Sequence, residues 1–140
     1  MLRFTSGVVG CELSVVMATI LRFEELECWQ ACQELRKFVA RDLVPLLPPD
    51  ERFRLADQIL RAARSTTANI AEGFGRRHYL DNAKFIRNAL GSLHETLDHA
   101  ITAHDEEMID NVLLADLRTH FEKAASLTRG YAAYLQRQGK

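Results

Sequence analysis

From Arg22 onward, apolar residues recur at steps of three and four, the period of a helix with one face turned inward. The first such stretch runs from about Glu24 to Leu46. Leu26, Trp29, Cys32, Leu35, Val39 and Leu43 form its stripe, with Phe23 just ahead of it. Pro45, Pro48 and Pro49 end it and stiffen the turn that follows. A second helix is predicted from Asp50, an acceptable N-cap, to the Gly73–Gly75 region. Phe53, Ala56, Ile59, Leu60, Ala63, Thr67, Ile70 and Phe74 make its buried face. A third runs from about Leu80 to His104, with Phe85, Ile86, Ala89, Leu90, Leu93, Leu97, Ala100 and Ile101 inward. Asp105-Glu106-Glu107 is either a short acidic connection or the cap of the next element. The fourth helix, about Ile109 to Arg137, presents Val112, Leu113, Leu117, Phe121, Ala124, Leu127, Tyr131, Tyr134 and Leu135. Strand-period alternation of useful length is absent from the sequence. Only 7 glycines and 3 prolines in 140 residues leave room for few turns, hence for a few long helices. The expected fold is all-α, an antiparallel up-down-up-down four-helix bundle in one domain over residues 19–140.

Residues 1–18 break this pattern. The stretch is nearly uncharged, Gly7 and Gly10 interrupt it, and Val8 to Met17 is not amphipathic. Arg3 is its only cation, and Cys11-Glu12 breaks the apolar run, so a signal peptide or a lipid-modified Cys11 fits poorly. An upstream extension, with Met17 as the candidate true start, is the expectation. No apolar run approaches the roughly 20 residues of a membrane span. Three cysteines, Cys11, Cys28 and Cys32, make no paired disulfide framework and suit a reducing cytoplasm.

Net charge is −1, unevenly spread. Glu51 to His78 carries six Arg against three acids; Tyr79 to Glu107 carries two cations against six acids. The arginine-rich stretch contains the segment the chain is organised around, Arg61 to Arg77. Its small residues, Ser65 to Ala68, would let a neighbouring helix come close. Arg61, Asn69 and Glu72 sit among them, and a buried charge is costly unless paired. These three, with Glu95 on the third helix, are therefore expected to form one buried polar network. Gly73 and Gly75 are expected to stop the helix, with Arg76 and Arg77 at its negative end.

Several runs carry a family resemblance: Arg22-Phe23-Glu24-Glu25-Leu26-Glu27-Cys28-Trp29, Leu55-Ala56-Asp57-Gln58-Ile59-Leu60-Arg61, Asn69-Ile70-Ala71-Glu72-Gly73-Phe74-Gly75-Arg76, Phe85-Ile86-Arg87 and Gly91-Ser92-Leu93-His94-Glu95-Thr96. Over roughly Arg22 to Gln138 the chain resembles the bacterial four-helix-bundle proteins, also called the 23S rRNA intervening-sequence protein family. The accessory variability determinants of diversity-generating retroelements share that fold. The resemblance implies a barrel-like homopentamer and does not imply an enzyme. For the retroelement branch it implies a basic surface that binds nucleic acid and works with a reverse transcriptase. This chain departs from that branch in being slightly acidic, which speaks against strong non-specific nucleic-acid binding. It also carries His104-Asp105-Glu106-Glu107-Met108 where a glycine-containing turn is expected.

Candidate chemistry is sparse. Cys28 and Cys32 lie one turn apart, but without a second pair they read as small hydrophobes rather than metal ligands. His94, His99 and His104 fall at five-residue steps, on different faces, and the repeated Glu-x-x-His of a di-iron bundle is missing. Glu72 with Glu95 could be a catalytic carboxylate pair; neutralisation by Arg61, with Asn69 completing their hydrogen bonds, is the stronger reading. Neither cofactor nor metal is expected. Arg52, Arg54, Arg64, Arg76 and Arg77 could form a basic rim for RNA or DNA, or simply solvated helix ends. The leading expectation is a non-enzymatic cytoplasmic homo-oligomer. The alternative is a nucleic-acid-binding partner of a reverse transcriptase. Phe38, with Tyr131, Ala132, Tyr134 and Leu135, is apolar surface in excess of one stripe and is expected to face a second subunit.

Overall fold

The computed structural model of the chain describes residues 19–139; the expected extension over residues 1–18, with Cys11 and Met17, lies outside the described residues. Among the described residues the fold is all-helical, without a β-strand. Its four long helices are α1 (Glu27–Phe38), α2 (Leu55–Gly75), α3 (Tyr79–Asp105) and α4 (Asn111–Gln138). None is long and apolar enough to cross a membrane.

Helix α1 is preceded by a 3-10 turn, Phe23–Glu25, and by Leu26 in extended conformation. It runs on into a widened π turn, Val39–Leu43, and a last 3-10 turn, Val44–Leu46. The reason is visible in the spacing. Leu35, Val39, Leu43 and Leu47 stand four apart, and an ordinary helix at 3.6 residues per turn would carry them progressively off one face. The extra residue in the π turn keeps Val39 and Leu43 both wholly buried.

Helix α2 begins later than its sequence pattern indicates. Asp50 lies in a 3-10 turn, Pro49–Glu51, and it is Glu51 whose carboxylate accepts from the Leu55 amide at 3.0 Å. The turn rotates Phe53 off the stripe, and its side chain stands 83% exposed instead of in the core. Val112 is a second such correction: as the second residue of α4 it faces outward, 69% exposed. Phe85 is only half-buried, under the Arg76 guanidinium; the remaining apolar positions expected inward are buried or packed against the core.

The centre is held by small residues. Thr66, Thr67, Thr96 and Thr128 are buried. Thr66 donates to Ala63 O at 2.7 Å and Thr96 to Ser92 O at 2.8 Å, so burial leaves neither hydroxyl unsatisfied. Helices α2 and α3 meet at Ser65 and Ser92, whose hydroxyls are 2.8 Å apart, and at Gly73 and Asn82. Asn82 Nδ2 donates to the Tyr131 hydroxyl at 3.2 Å and joins α3 to α4. Cys32 lies 3.8 Å from Thr128 and joins α1 to α4. Arg36 Nη1 donates to Thr67 Oγ1 at 2.7 Å and joins α1 to α2. Tyr131, Tyr134 and Leu135 are all buried within this subunit. They are therefore core, and the part of the assembly expectation drawn from them is withdrawn.

Helix α3 ends in a Schellman turn. The Met108 amide donates to Ala103 O at 2.8 Å and the Glu107 amide to His104 O at 3.0 Å. Glu107 takes φ 62°, the left-handed conformation normally given to glycine. The acidic run is thus the connection. The cap of α4 is Asp110, whose carboxylate accepts from the Leu113 amide at 2.8 Å.

Candidate assembly and binding surfaces

The five arginines expected to form one rim are all exposed but do not gather. Arg52 and Arg54 precede α2, Arg64 lies midway along it, and Arg76 and Arg77 follow its last residue. At 1.5 Å per residue the two ends of this 21-residue helix are about 30 Å apart. Arg76 is also engaged locally. It bridges Glu72 at 3.3 Å and Asp81 at 3.9 Å, and its guanidinium lies 4.9 Å over the Phe85 ring. Among the described residues, Arg52, Arg54, Arg64 and Arg77 take part in no ion pair.

The expected buried network is not formed within the subunit. Arg61 is 77% exposed at its side chain and pairs with Asp57 at 3.7 Å. Glu72 pairs with Arg76, and Glu95 with His99 at 3.4 Å; both glutamates are exposed. Asn69 alone is partly buried, and its Nδ2 donates to Ser65 O at 2.9 Å and Ser65 Oγ at 3.0 Å. Each charge is satisfied one turn away on its own helix, so no buried partner is needed. Nor do the two glutamates converge. Ser65 meets Ser92 and Gly73 meets Asn82, so Glu72 lies toward the start of α3 and Glu95 away from it, about 15 Å off along the axis.

The cysteines behave as packing residues. Cys28 and Cys32 are both buried. Burial pushes the Cys32 thiol up to about 11, against hydrogen bonds from Thr128 and Thr66 that pull it down. Burial, with the charge of Cys32, pushes the Cys28 thiol higher still. A thiol held protonated is a poor nucleophile and a poor ligand. Tyr131 is also shifted upward, chiefly by burial, with the Asn82 hydrogen bond opposing.

An open groove of about 1100 Å³ lies between α1 and α4. Trp29, Ala31 and Leu127 supply apolar wall; Glu24, Glu27 and Glu34 supply carboxylates, against Lys123 and His120 from α4. The wall is built by the turn before α1. Gln30 Nε2 donates to Glu24 O at 2.8 Å, which folds the 3-10 turn back along the helix. Phe23 then packs edge-on to Trp29, centroids 5.4 Å apart. Further along, Phe38 packs on His120 at 4.9 Å. Phe23, Trp29, Phe38 and Leu127 are only partly buried. Sequence periodicity places Trp29 on the core stripe and carries no sign of a groove. Arg36, the link between α1 and α2, is likewise unmarked: it is simply the residue after Leu35.

A family model described as the 23S rRNA-intervening sequence protein matches residues 24–130. No curated protein matches the chain.

Proposed function

The chain belongs to the 23S rRNA-intervening sequence protein family, and from that premise we propose that it acts as a non-enzymatic, cytoplasmic, oligomeric scaffold. The helix pairings read as an antiparallel up-down-up-down bundle. Cys32 opposite Thr128 with Phe38 opposite His120, and Ser65 opposite Ser92 with Gly73 opposite Asn82, both run in opposed senses. The observation that carries the proposal is the groove between α1 and α4. Aromatic and aliphatic surface there is left half covered by the subunit's own core, as at the centre of protein interfaces. The resemblance supplies the count, five copies in a ring.

Local pairing of Glu72 and Glu95, and the protonated, buried thiols, support a role without catalysis. The nucleic-acid reading has less support, because the arginines that would carry it are spread along about 30 Å of helix.

Trp29 is the only tryptophan of the chain and lines the groove, so its fluorescence reports directly. Emission at high protein concentration should be blue-shifted and should move to the red on dilution, as the groove is uncovered. An emission maximum independent of concentration, with the scattering mass of one 15.9 kDa chain throughout, would overturn the proposal.

A further inference from the structure

The turn before α2 holds out an aromatic ring that stands largely in solvent. Phe53, at 83%, is the most exposed of the large hydrophobic residues among those described. It is not loosely held. Pro48 and Pro49 stiffen the approach, the Arg54 amide donates to Glu51 O at 3.0 Å, and Glu51 closes onto the first turn of α2. The Arg52 guanidinium lies 5.1 Å over the Phe53 ring. Arg52-Phe53-Arg54 is therefore a preorganised knuckle, made of residue types enriched at protein interfaces.

The α1–α4 groove is its counterpart in shape and charge. It is concave where the knuckle is convex, and its wall is apolar at Trp29 and Leu127. Glu24, Glu27 and Glu34 line it against the single ammonium of Lys123. Arg22 pairs with Glu24 and Lys37 with Glu34, but both are exposed pairs, which in water hold their partners weakly and yield to a better one. Glu27 makes no ion pair among the described residues.

We infer that the Arg52-Phe53-Arg54 knuckle of one subunit seats in the α1–α4 groove of a second copy of the chain, with Phe53 against Trp29 and Leu127 and the arginines facing the carboxylates. This rests on the oligomeric reading above and gives it a contact. The contact is heterologous: each subunit spends its knuckle on one neighbour and its groove on another, as a closed ring requires.

The test uses the full chain and three variants, each checked for parental helix content by circular dichroism. Phe53→Ala, and separately Arg52→Glu with Arg54→Glu, disable the knuckle; Glu27→Arg with Glu34→Arg disables the groove. Each should weaken self-association roughly 30-fold or more, as loss of a hot spot does. Each should then run as a single chain where the parent is assembled. Mixing Phe53→Ala with the groove variant restores one good contact and no more, so that mixture should give a pair of twice 15.9 kDa; the charge-reversed knuckle also complements the charge-reversed groove, so that mixture should regain assembly beyond the pair. A parent that assembles while the knuckle variants keep its mass overturns the inference and leaves the oligomeric reading standing. Variants that separate but never pair on mixing overturn the match of knuckle to groove. A parent that runs as one chain overturns both. Should Phe53→Ala fail to fold, the charge-reversed knuckle, exposed throughout, carries the test through its loss of assembly alone and its regained assembly with the groove variant.

Discussion

Gly73 of α2 lies against Asn82 of α3 so closely that a Cβ at Gly73 would stand 2.5 Å from Asn82 Oδ1 and 2.9 Å from the Phe85 Cβ. Asn82 cannot simply turn away: it is buried and its amide donates to Tyr131. The sequence pattern assigns Gly73 to stopping the helix, yet α2 runs through it to Gly75. Its absent side chain serves the approach of two helices.

Gly73→Ala should therefore destabilise the subunit, by about 1–3 kcal/mol, the usual cost of overpacking, even though alanine is the better helix former. Gly91 is the control. It also sits inside a helix, but a Cβ there meets nothing within 4 Å. Gly91→Ala should stabilise by up to about 1 kcal/mol. Urea midpoints of the two variants, moving in opposite directions, check both.

Glu107 holds a left-handed backbone conformation at φ 62°, which costs a non-glycine residue about 1–2 kcal/mol. Part of the relief from substitution is returned to the more flexible unfolded chain. Glu107→Gly should raise stability by roughly 1 kcal/mol, seen as a higher melting temperature. An unchanged or lower value would mean that the carboxylate contributes more than its backbone costs.

Asp110 caps α4 through the Leu113 amide. Asp110→Ala should cost about 1 kcal/mol and Asp110→Asn much less. Asp50→Ala, at the position the sequence marks as a cap, should have little effect, because Glu51 makes the corresponding bond. Thermal melts of the three variants separate these roles.

Alkaline pH should unfold the protein cooperatively. The Cys32 thiol is raised from 9.0 to about 11 by burial, so the folded state keeps a proton that the unfolded state releases. That contribution is whole below pH 9 and is lost as pH rises toward 11, at about 1.4 kcal/mol per pH unit for this one group. Cys28 and Tyr131, shifted the same way, deepen the loss. Denaturant midpoints at pH 8 and pH 10 read it directly; equal midpoints would contradict it.

Helix existence was legible because the stripes are long and regular, and α3 and α4 begin and end within two residues of their expected bounds. The turn at Glu107 falls inside the His104–Met108 run, where the resemblance leads one to expect a glycine and the sequence has none. Two things were not legible. Phe53 and Val112 continue an apolar pattern on paper, but each lies at the beginning of a helix, where turn geometry and not periodicity decides which way a side chain points. The supposed buried network failed for another reason. Asp57 with Arg61, Glu72 with Arg76, and Glu95 with His99 are all four apart, and a charge with a partner one turn away has no need of a core. That spacing was present in the sequence and outweighs the small residues around it.

Native mass spectrometry of the full chain tests assembly most directly. A subunit whose α1–α4 groove is closed by a neighbour should appear as a ring of five, five times the 15.9 kDa of one chain, with dissociation products only on activation. A spectrum holding only the 15.9 kDa species, at concentrations where the helices are fully formed, would contradict the account.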